Sequence, residues 1–324
     1  MPEPLRIQDI FVPVGFVLTI FLVALILPAM GMVIGIFSPV PLIYLYLQKG
    51  RETGLVGIFF VVLALFISLG LRHAAFFLAE YGVLAALLSE SILIRLSVNR
   101  AVLVGALGTG LASGILLFFA FFGEEGSISD FLREQVKTHL LQTLETLKNI
   151  GQGSEDLNVW DGKTIETLSE KLALSYPAFI FSGCLFASLV NYSMVGLLWK
   201  KLGRHSVYFT DRFSLWILPD FAIWFFIVSG ATVWFLDKGI AYGFGLNVLI
   251  LSITVYCFQG VAICVYFLES KAIPVFLWVI LFVFVFTQPL LIGILIGLGV
   301  FDLWVDFRKL RTQTFHDTSD QGEE

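Results

Sequence analysis

Two carboxamides and two carboxylates stand where this sequence leaves them no bulk water. Asn247 and Gln259 lie inside Gly239 to Leu268, a run without one Asp, Glu, Lys or Arg. A run of this length can cross a bilayer. At about 100° per residue, Asn247 and Thr254 share one side of such a helix, while Ser252, Tyr256 and Gln259 share the opposite side. A helix polar on both sides cannot show either one to lipid, which predicts a central helix flanked by protein or by a wet cavity. Two readings stay open. The carboxamides bond neighbouring helices, at ~1 kcal/mol each in a membrane, or they line a cavity for a polar solute.

The acids sharpen the question, because a charge at the bilayer centre costs ~2.5–3.5 kcal/mol on insertion scales. Glu80 lies eight residues from Arg72, or ~12 Å along a helix. Asp220 lies eight residues past Arg212 and directly after Pro219, where a broken helix start offers free N–H groups to a carboxylate. Each is either a functional carboxylate or a structural acid kept protonated or paired. The candidate ligand-binding cavity comprises Asn247, Gln259, Asp220, Glu80, Trp216 and Tyr256, with Asn247, Gln259 and Asp220 reachable from the outer side. An aromatic wall of Trp216, Trp224 and Trp234 would suit an organic solute. Glu90, five residues from Arg95, reads as near-interfacial, and the Asp302/Asp306 pair beside Lys309 as an interfacial charge stripe.

Other chemistry has little support. His73, His139, His205 and His316 form no cluster. Cys184, Cys257 and Cys264 sit in apolar runs with no CxxC or Cys/His grouping, so they read as core packing. There is no HExxH, GxSxG or P-loop, so neither an enzyme nor a cofactor or metal is expected. Nothing in the charge pattern suggests nucleic-acid binding.

The elements that position these groups are membrane helices. With 58% apolar and 14% charged residues and a mean hydropathy of +0.90, the composition excludes a soluble domain with a polar surface. The 33 Phe and 7 Trp fit a lipid-facing protein with aromatic belts. Spans are expected at roughly 54–71, 74–95, 101–122, 176–198, 214–235 and 244–267. Ile10 to Gln48 is uncharged for 39 residues, too long for one crossing at ~1.5 Å per residue. Pro28 within LPAMG and Pro289 within TQP break the two terminal runs, which read as hairpins of shorter spans. About ten spans result. With an inside N-terminus, that count puts Lys49/Arg51, Arg95/Arg100, Lys200/Lys201/Arg204/Arg212, Lys271 and Arg308/Lys309/Arg311 in the cytoplasm. The expected fold is an all-α polytopic transmembrane helix bundle with both termini cytoplasmic.

Residues Gly123 to Leu172 hold ten acids against five bases and account for the net charge of -5. After an N-cap at Ser129, Leu132, Val136, Leu140, Leu144, Leu147 and Ile150 recur at helical spacing; Ile165, Leu168 and Leu172 mark a second short helix. This extracytoplasmic amphipathic insert is a surface connector or a lid over a cavity. The organisation is a five-span half over 1–122, the insert over 123–175, a second five-span half over 176–306 and a polar tail over 307–324. Ala106/Gly110/Gly114, Gly31/Gly35 and Gly293/Gly297 carry small-xxx-small spacing, expected to pack against other helices or across a dimer.

FSLWILPD (Phe213 to Asp220), Asn247, FQG (Phe258 to Gly260) and GVFDLWVDFRK (Gly299 to Lys309) resemble the YybS-like family of bacterial membrane proteins of undefined function. SPVPL (Ser38 to Leu42), YPA (Tyr176 to Ala178) and NYSMVGLLWKKLG (Asn191 to Gly203) extend the likeness over nearly the whole chain. More distantly, the design is similar to the S-components of energy-coupling-factor vitamin transporters and to MreD-type proteins. It differs from the compact six-span S-components in its span count and insert, and lacks an Ala-x-x-x-Ala face in its first span. The resemblance implies a bacterial inner-membrane location. Two functions fit: a solute-binding or transport-related component, or a non-transporting cell-envelope scaffold or assembly protein. With no ATP site in the sequence, active transport requires a membrane partner or coupling module, or an ion gradient. The partners expected are therefore the lipid bilayer, such a membrane protein, and a small-molecule solute.

Overall fold

The computed structural model describes residues 7–27, 31, 34–121, 128–149, 161–202 and 212–310. Among these the secondary structure is helical throughout, with no strand. The Pro28 break, Ile150, Arg204, His205, Arg311, His316 and most of the polar tail lie outside these residues. The helices are α1 (Ile7–Ile26), α2 (Pro39–Lys49), α3 (Arg51–Leu69), α4 (Leu71–Phe77), α5 (Val83–Leu93), α6 (Val98–Phe121), α7 (Ile128–Asn149), α8 (Gly162–Leu174), α9 (Tyr176–Lys201), α10 (Ala222–Phe235), α11 (Ile240–Ser270), α12 (Val275–Thr287) and α13 (Pro289–Val305). A π-helical turn, Leu78–Gly82, joins α4 to α5.

Among the described residues six helical stretches are long and apolar enough to cross a membrane: Gln8–Ile26, Arg51–Leu69, Leu71–Leu93, Val98–Ala120, Tyr176–Lys201 and Ile240–Ser270. The α12–α13 pair, bent by 106° at Gln288, makes a seventh if it counts as one broken span. Helix length therefore supports six or seven crossings where hydropathy alone suggested about ten. The shortfall has a physical cause. Pro39–Lys49 has 11 residues and Ala222–Phe235 has 14, both below the ~17 that a crossing needs.

The chain divides into two compact units. The first comprises Met1–Leu116, Gly183–Ala222 and Ile253–Glu324. Its helices pack through small residues. A Cβ on Gly105 would meet Ser188 Oγ at 2.8 Å and Leu88 and Leu84 at 3.1 and 3.2 Å, so α6 lies tightly on α5 and α9. Ala106 and Gly110 are buried as their spacing suggests, but Gly114 is exposed with nothing within 4 Å. Gly293 and Gly297 likewise face open space. The packing face of α6 is thus rotated toward Gly105, Thr109 and Ser113, of which the two hydroxyl residues are buried. At the unit's polar edge Arg51 forks onto both Glu90 oxygens and Tyr46 donates to Glu90 Oε1, while Lys49 pairs with Asp9 at 2.8 Å. Glu90 is accordingly paired, as a near-interfacial acid can be.

The second unit comprises Leu117–Ser182 and Ile223–Ser252. Here α10 lies on the start of α11 through Gly245, whose added Cβ would meet Thr232 at 2.8 Å. In the insert, Leu132, Val136, Leu140 and Leu144 are the half-buried stripe of α7 that the periodicity indicated. Ser129 sits within the first turn of α7 rather than before it. Asp161, unrecognised in the sequence, caps α8 by accepting from Thr164 N at 2.7 Å. Glu166 of α8 accepts from Lys137 at 3.1 Å and from Arg133, tying α8 to α7.

Two outcomes follow. Gly105→Leu should lower the melting temperature in detergent, the overpacking costing about 1–3 kcal/mol, whereas Gly114→Leu should leave it unchanged. The bond from Lys137, with Arg133 adding its charge, holds the Glu166 carboxyl below the usual carboxylate range. The stabilisation is therefore present above that range and is lost as pH falls through the depressed value. Spin labels at Glu134 and Lys163 should report a narrow distance distribution at neutral pH that broadens on acidification. Glu166→Gln should broaden it at every pH.

Candidate functional site

The first unit holds a polar node built on a backbone-to-backbone crossing. A Cβ on Gly260 would fall on the Leu295 carbonyl oxygen, and one on Gly299 on that of Tyr256. Only glycines let α11 and α13 approach this closely. The crossing brings Gln259 Nε2 to 2.7 Å from Asp302 Oδ2, with both side chains almost fully buried. At the end of α13, Asp306 adopts a left-handed conformation (φ 45°) and turns the chain back. Phe307 N then donates to Asp302 Oδ1 at 3.1 Å, and Arg308 Nη2 reaches Oδ2 of the same carboxylate at 2.9 Å.

Arg308 also serves the FSLWILPD segment, where a 3₁₀ turn (Phe213–Leu215) passes into non-helical residues 216–219. Its Nη1 donates to Ser214 O at 2.7 Å and Nη2 to Trp216 O at 2.9 Å, while Asn99 Nδ2 donates to Ile217 O at 3.1 Å. Ser214 Oγ donates to Glu269 at 2.7 Å. Non-helical backbone at membrane depth survives only with such partners. The Trp216 ring is buried against Phe213 and Phe258, at centroid distances of 5.6 and 6.1 Å. Tyr256 is buried beside the crossing.

Asp302 is therefore no part of an interfacial charge stripe: it is buried in an ion pair with Arg308. The spacing Asp302/Arg308 is not a helical one, so periodicity could not pair them; only the left-handed turn does. Asp220 is exposed two residues before α10 starts. Glu80 sits in the π-helical turn with Ser113 Oγ at 2.6 Å from its Oε1. Trp224 and Trp234 are 64% and 83% exposed, positions that suit lipid-facing rings and give no wall to a cavity.

Asn247 belongs to the second unit, and all its polar atoms are engaged there. Its Oδ1 accepts from Ala178 N at 2.8 Å, and its Nδ2 donates to Leu174 O at 2.9 Å and Gly243 O at 2.8 Å. Leu174 ends α8 and Ala178 lies in the first turn of α9. Helix termini leave such groups without intrahelical partners. One side chain on a third helix thus caps the end of α8 and the start of α9 together. Asn247 and Gln259 both find partners on other helices, as a central polar helix demands, but neither partner is Glu80 or Asp220. Gln259, Trp216 and Tyr256 belong to the first unit's node, and Asn247 shares no polar partner with Gln259.

Beside Asn247 lies a groove of about 880 Å³, within the second unit. Leu174, Phe181, Phe244, Val248 and Leu251 form its apolar wall, and Glu170, Lys171, Asp237 and Lys238 line its charged part. These rim charges looked like loop and connector charges in the sequence; nothing local marks them as convergent. Among the described residues no group of His, Cys, Asp and Glu is arranged to hold a metal.

The first unit's node gives a double-mutant test. Arg308→Met should lower stability by about 3–5 kcal/mol by stranding a buried carboxylate. Adding Asp302→Leu should recover part of that loss, and a cycle measured by detergent melting should return a clear coupling.

No curated protein and no solved structure matches the chain. The family model of a predicted membrane protein (DUF2232) matches residues 15–303. That interval takes in the α11–α13 crossing, the FSLWILPD segment, Asn247 and Asp302. The chain belongs to this family of predicted membrane proteins.

Proposed function

We propose that this membrane protein is a solute-binding component whose solute is an amphiphile, a phospholipid-like molecule held in the groove beside Asn247. The observation that carries this reading is the lining of that groove, which joins apolar side chains to residues bearing both signs of charge. Its volume of about 880 Å³ is within the usual range of ligand sites. An apolar wall favours a chain, at ~0.8 kcal/mol per buried CH₂. Lys171 and Lys238 suit a phosphate, and Glu170 and Asp237 suit an ammonium, so a zwitterionic headgroup matches the rim. Asn247 has no donor to spare for the ligand: both amide hydrogens go to backbone carbonyls, and its oxygen already accepts from Ala178 N. Its part is to hold the α8–α9 junction in place as one wall. The role is binding rather than catalysis, and movement of the solute against a gradient would draw on a partner or an ion gradient. A bacterial inner-membrane location accompanies this reading.

The alternative is a cell-envelope scaffold. It is favoured by that same saturation of Asn247, and by the burial of Gln259 against Asp302, which make both carboxamides helix-to-helix bonds.

Native mass spectrometry of the purified full chain separates the two. After exchange into a lipid-free detergent and addition of a zwitterionic phospholipid, one bound phospholipid should be retained. Lys171→Ala and Lys238→Ala should each weaken retention about fivefold, as expected for ~1 kcal/mol per basic residue. Leu251→Trp, which fills the apolar wall, should abolish it. Equal retention in Leu251→Trp and the unaltered chain would favour the scaffold.

A further inference from the structure

Glu80 is placed unlike the ion-paired acids described above. It lies in the span Leu71–Leu93, within a π-helical turn, an irregularity that recurs at functional sites. Glu90, Glu166, Asp9 and Asp302 each have a cationic partner, and among the described residues no ion pair reaches Glu80. The groups around it are few. Ser113 comes from α6, Tyr81 from its own turn, and Cys184 from α9 within electrostatic reach. From α3 the apolar Ile58 packs at Gly82 of the same turn.

The hydrogen count at Ser113 then decides the chemistry. Ser113 Oγ lies 2.6 Å from Glu80 Oε1 and 2.9 Å from the Thr109 carbonyl oxygen. A serine has one hydrogen to donate. If Glu80 were a carboxylate, that hydrogen could serve only one of the two acceptors. If Glu80 carries a proton, it donates to Ser113 Oγ, Ser113 donates to Thr109 O, and both contacts hold one hydrogen each. A cation in place of the proton would need several oxygen ligands, and one hydroxyl is all that reaches this carboxyl.

Polar groups continue along the same face of α6. Thr109 is one turn from Ser113, and Gly105 one turn further, where Ser188 Oγ of α9 fills the space a Cβ would occupy. Thr109 Oγ1 and Ser188 Oγ are both buried without a protein partner for their hydroxyls. We propose that Glu80 is an intramembrane proton-binding site, with Ser113 as its hydrogen-bond partner and the Thr109 and Ser188 hydroxyls extending the polar face beside it. This assignment does not depend on the amphiphile reading of the second unit.

Infrared difference spectroscopy on the full chain in lipid nanodiscs tests it. At neutral pH a protonated-carboxyl C=O band should be present, should move in heavy water, and should disappear reversibly in strong alkali. Glu80→Gln should lose that band with the melting temperature kept. Ser113→Ala should retain the band at a displaced frequency. Loss of a carboxylate band in Glu80→Gln, in place of the protonated one, would overturn the assignment, and so would a spectrum that Glu80→Gln leaves unchanged. Should Glu80→Gln fail to fold, Ser113→Ala carries the test alone, and an unmoved band there would overturn it.

Discussion

Backbone polar groups inside a membrane have no water to turn to, and the first unit is organised around one place where the helical ladder stops. Residues 213–219 pass from a 3₁₀ turn to non-helical chain. Their carbonyls need donors, and Arg308 supplies two of them. Arg308 can be buried there because Asp302 balances it. Asp302 is held by Gln259 and by the Phe307 amide, and Gln259 reaches it because Gly260 and Gly299 let two helices cross on their backbones. Every step removes a cost that the next would otherwise incur. A buried ion pair adds little net stability over well-packed apolar residues. What this pair adds is a buried, charge-balanced donor for the Ser214 and Trp216 carbonyls.

The second unit meets the same constraint with a neutral group. The α8–α9 junction breaks the ladder between Leu174 and Ala178, and Asn247 answers both ends with one carboxamide. A carboxamide is shaped like the peptide unit it replaces, offering an acceptor and donors in one plane. It neutralises the exposed carbonyl and amide without bringing a charge into the membrane. The consequence is local shape. With the junction pinned, Leu174 and Phe181 present an apolar wall, and Glu170 and Lys171 stand at the charged rim.

Much of this was legible before any coordinates. All-helical membrane class, the acidic insert and the two-sided polarity of α11 follow from composition and the 3.6-residue period. The span count did not follow, because hydropathy measures apolar length and not helix continuity: Pro39–Lys49 and Ala222–Phe235 are apolar yet too short to cross. The small-residue stripe of α6 was half legible. Spacing gave Ala106 and Gly110, but the neighbours that select a face are supplied by other helices, and they select Gly105 over Gly114. The Asp302–Arg308 pair was illegible because one left-handed residue, Asp306, sets a non-helical separation. The groove rim was illegible for a similar reason: Lys171 and Lys238 lie in different segments, and only tertiary folding brings them to one opening.

The number and kind of partners separate the structural polar groups from Glu80. Asn247 makes three bonds to backbone, and the two Nη atoms of Arg308 serve two carbonyls and a carboxylate, while its Nε is buried without a partner among the described residues. Removing any of these leaves a helix end or a loop carbonyl unpaired in a low-dielectric interior, so their task is to hold the fold. Glu80 shows the opposite pattern. One hydroxyl reaches it, no cation faces it among the described residues, and unpartnered hydroxyls lie along the face beside it. A half-buried carboxyl so thinly supported is costly to keep as a charge, and a bound proton removes that cost. The π-helical turn that carries Glu80 departs from the regular helix on either side, so the backbone too is irregular where this proton would be held.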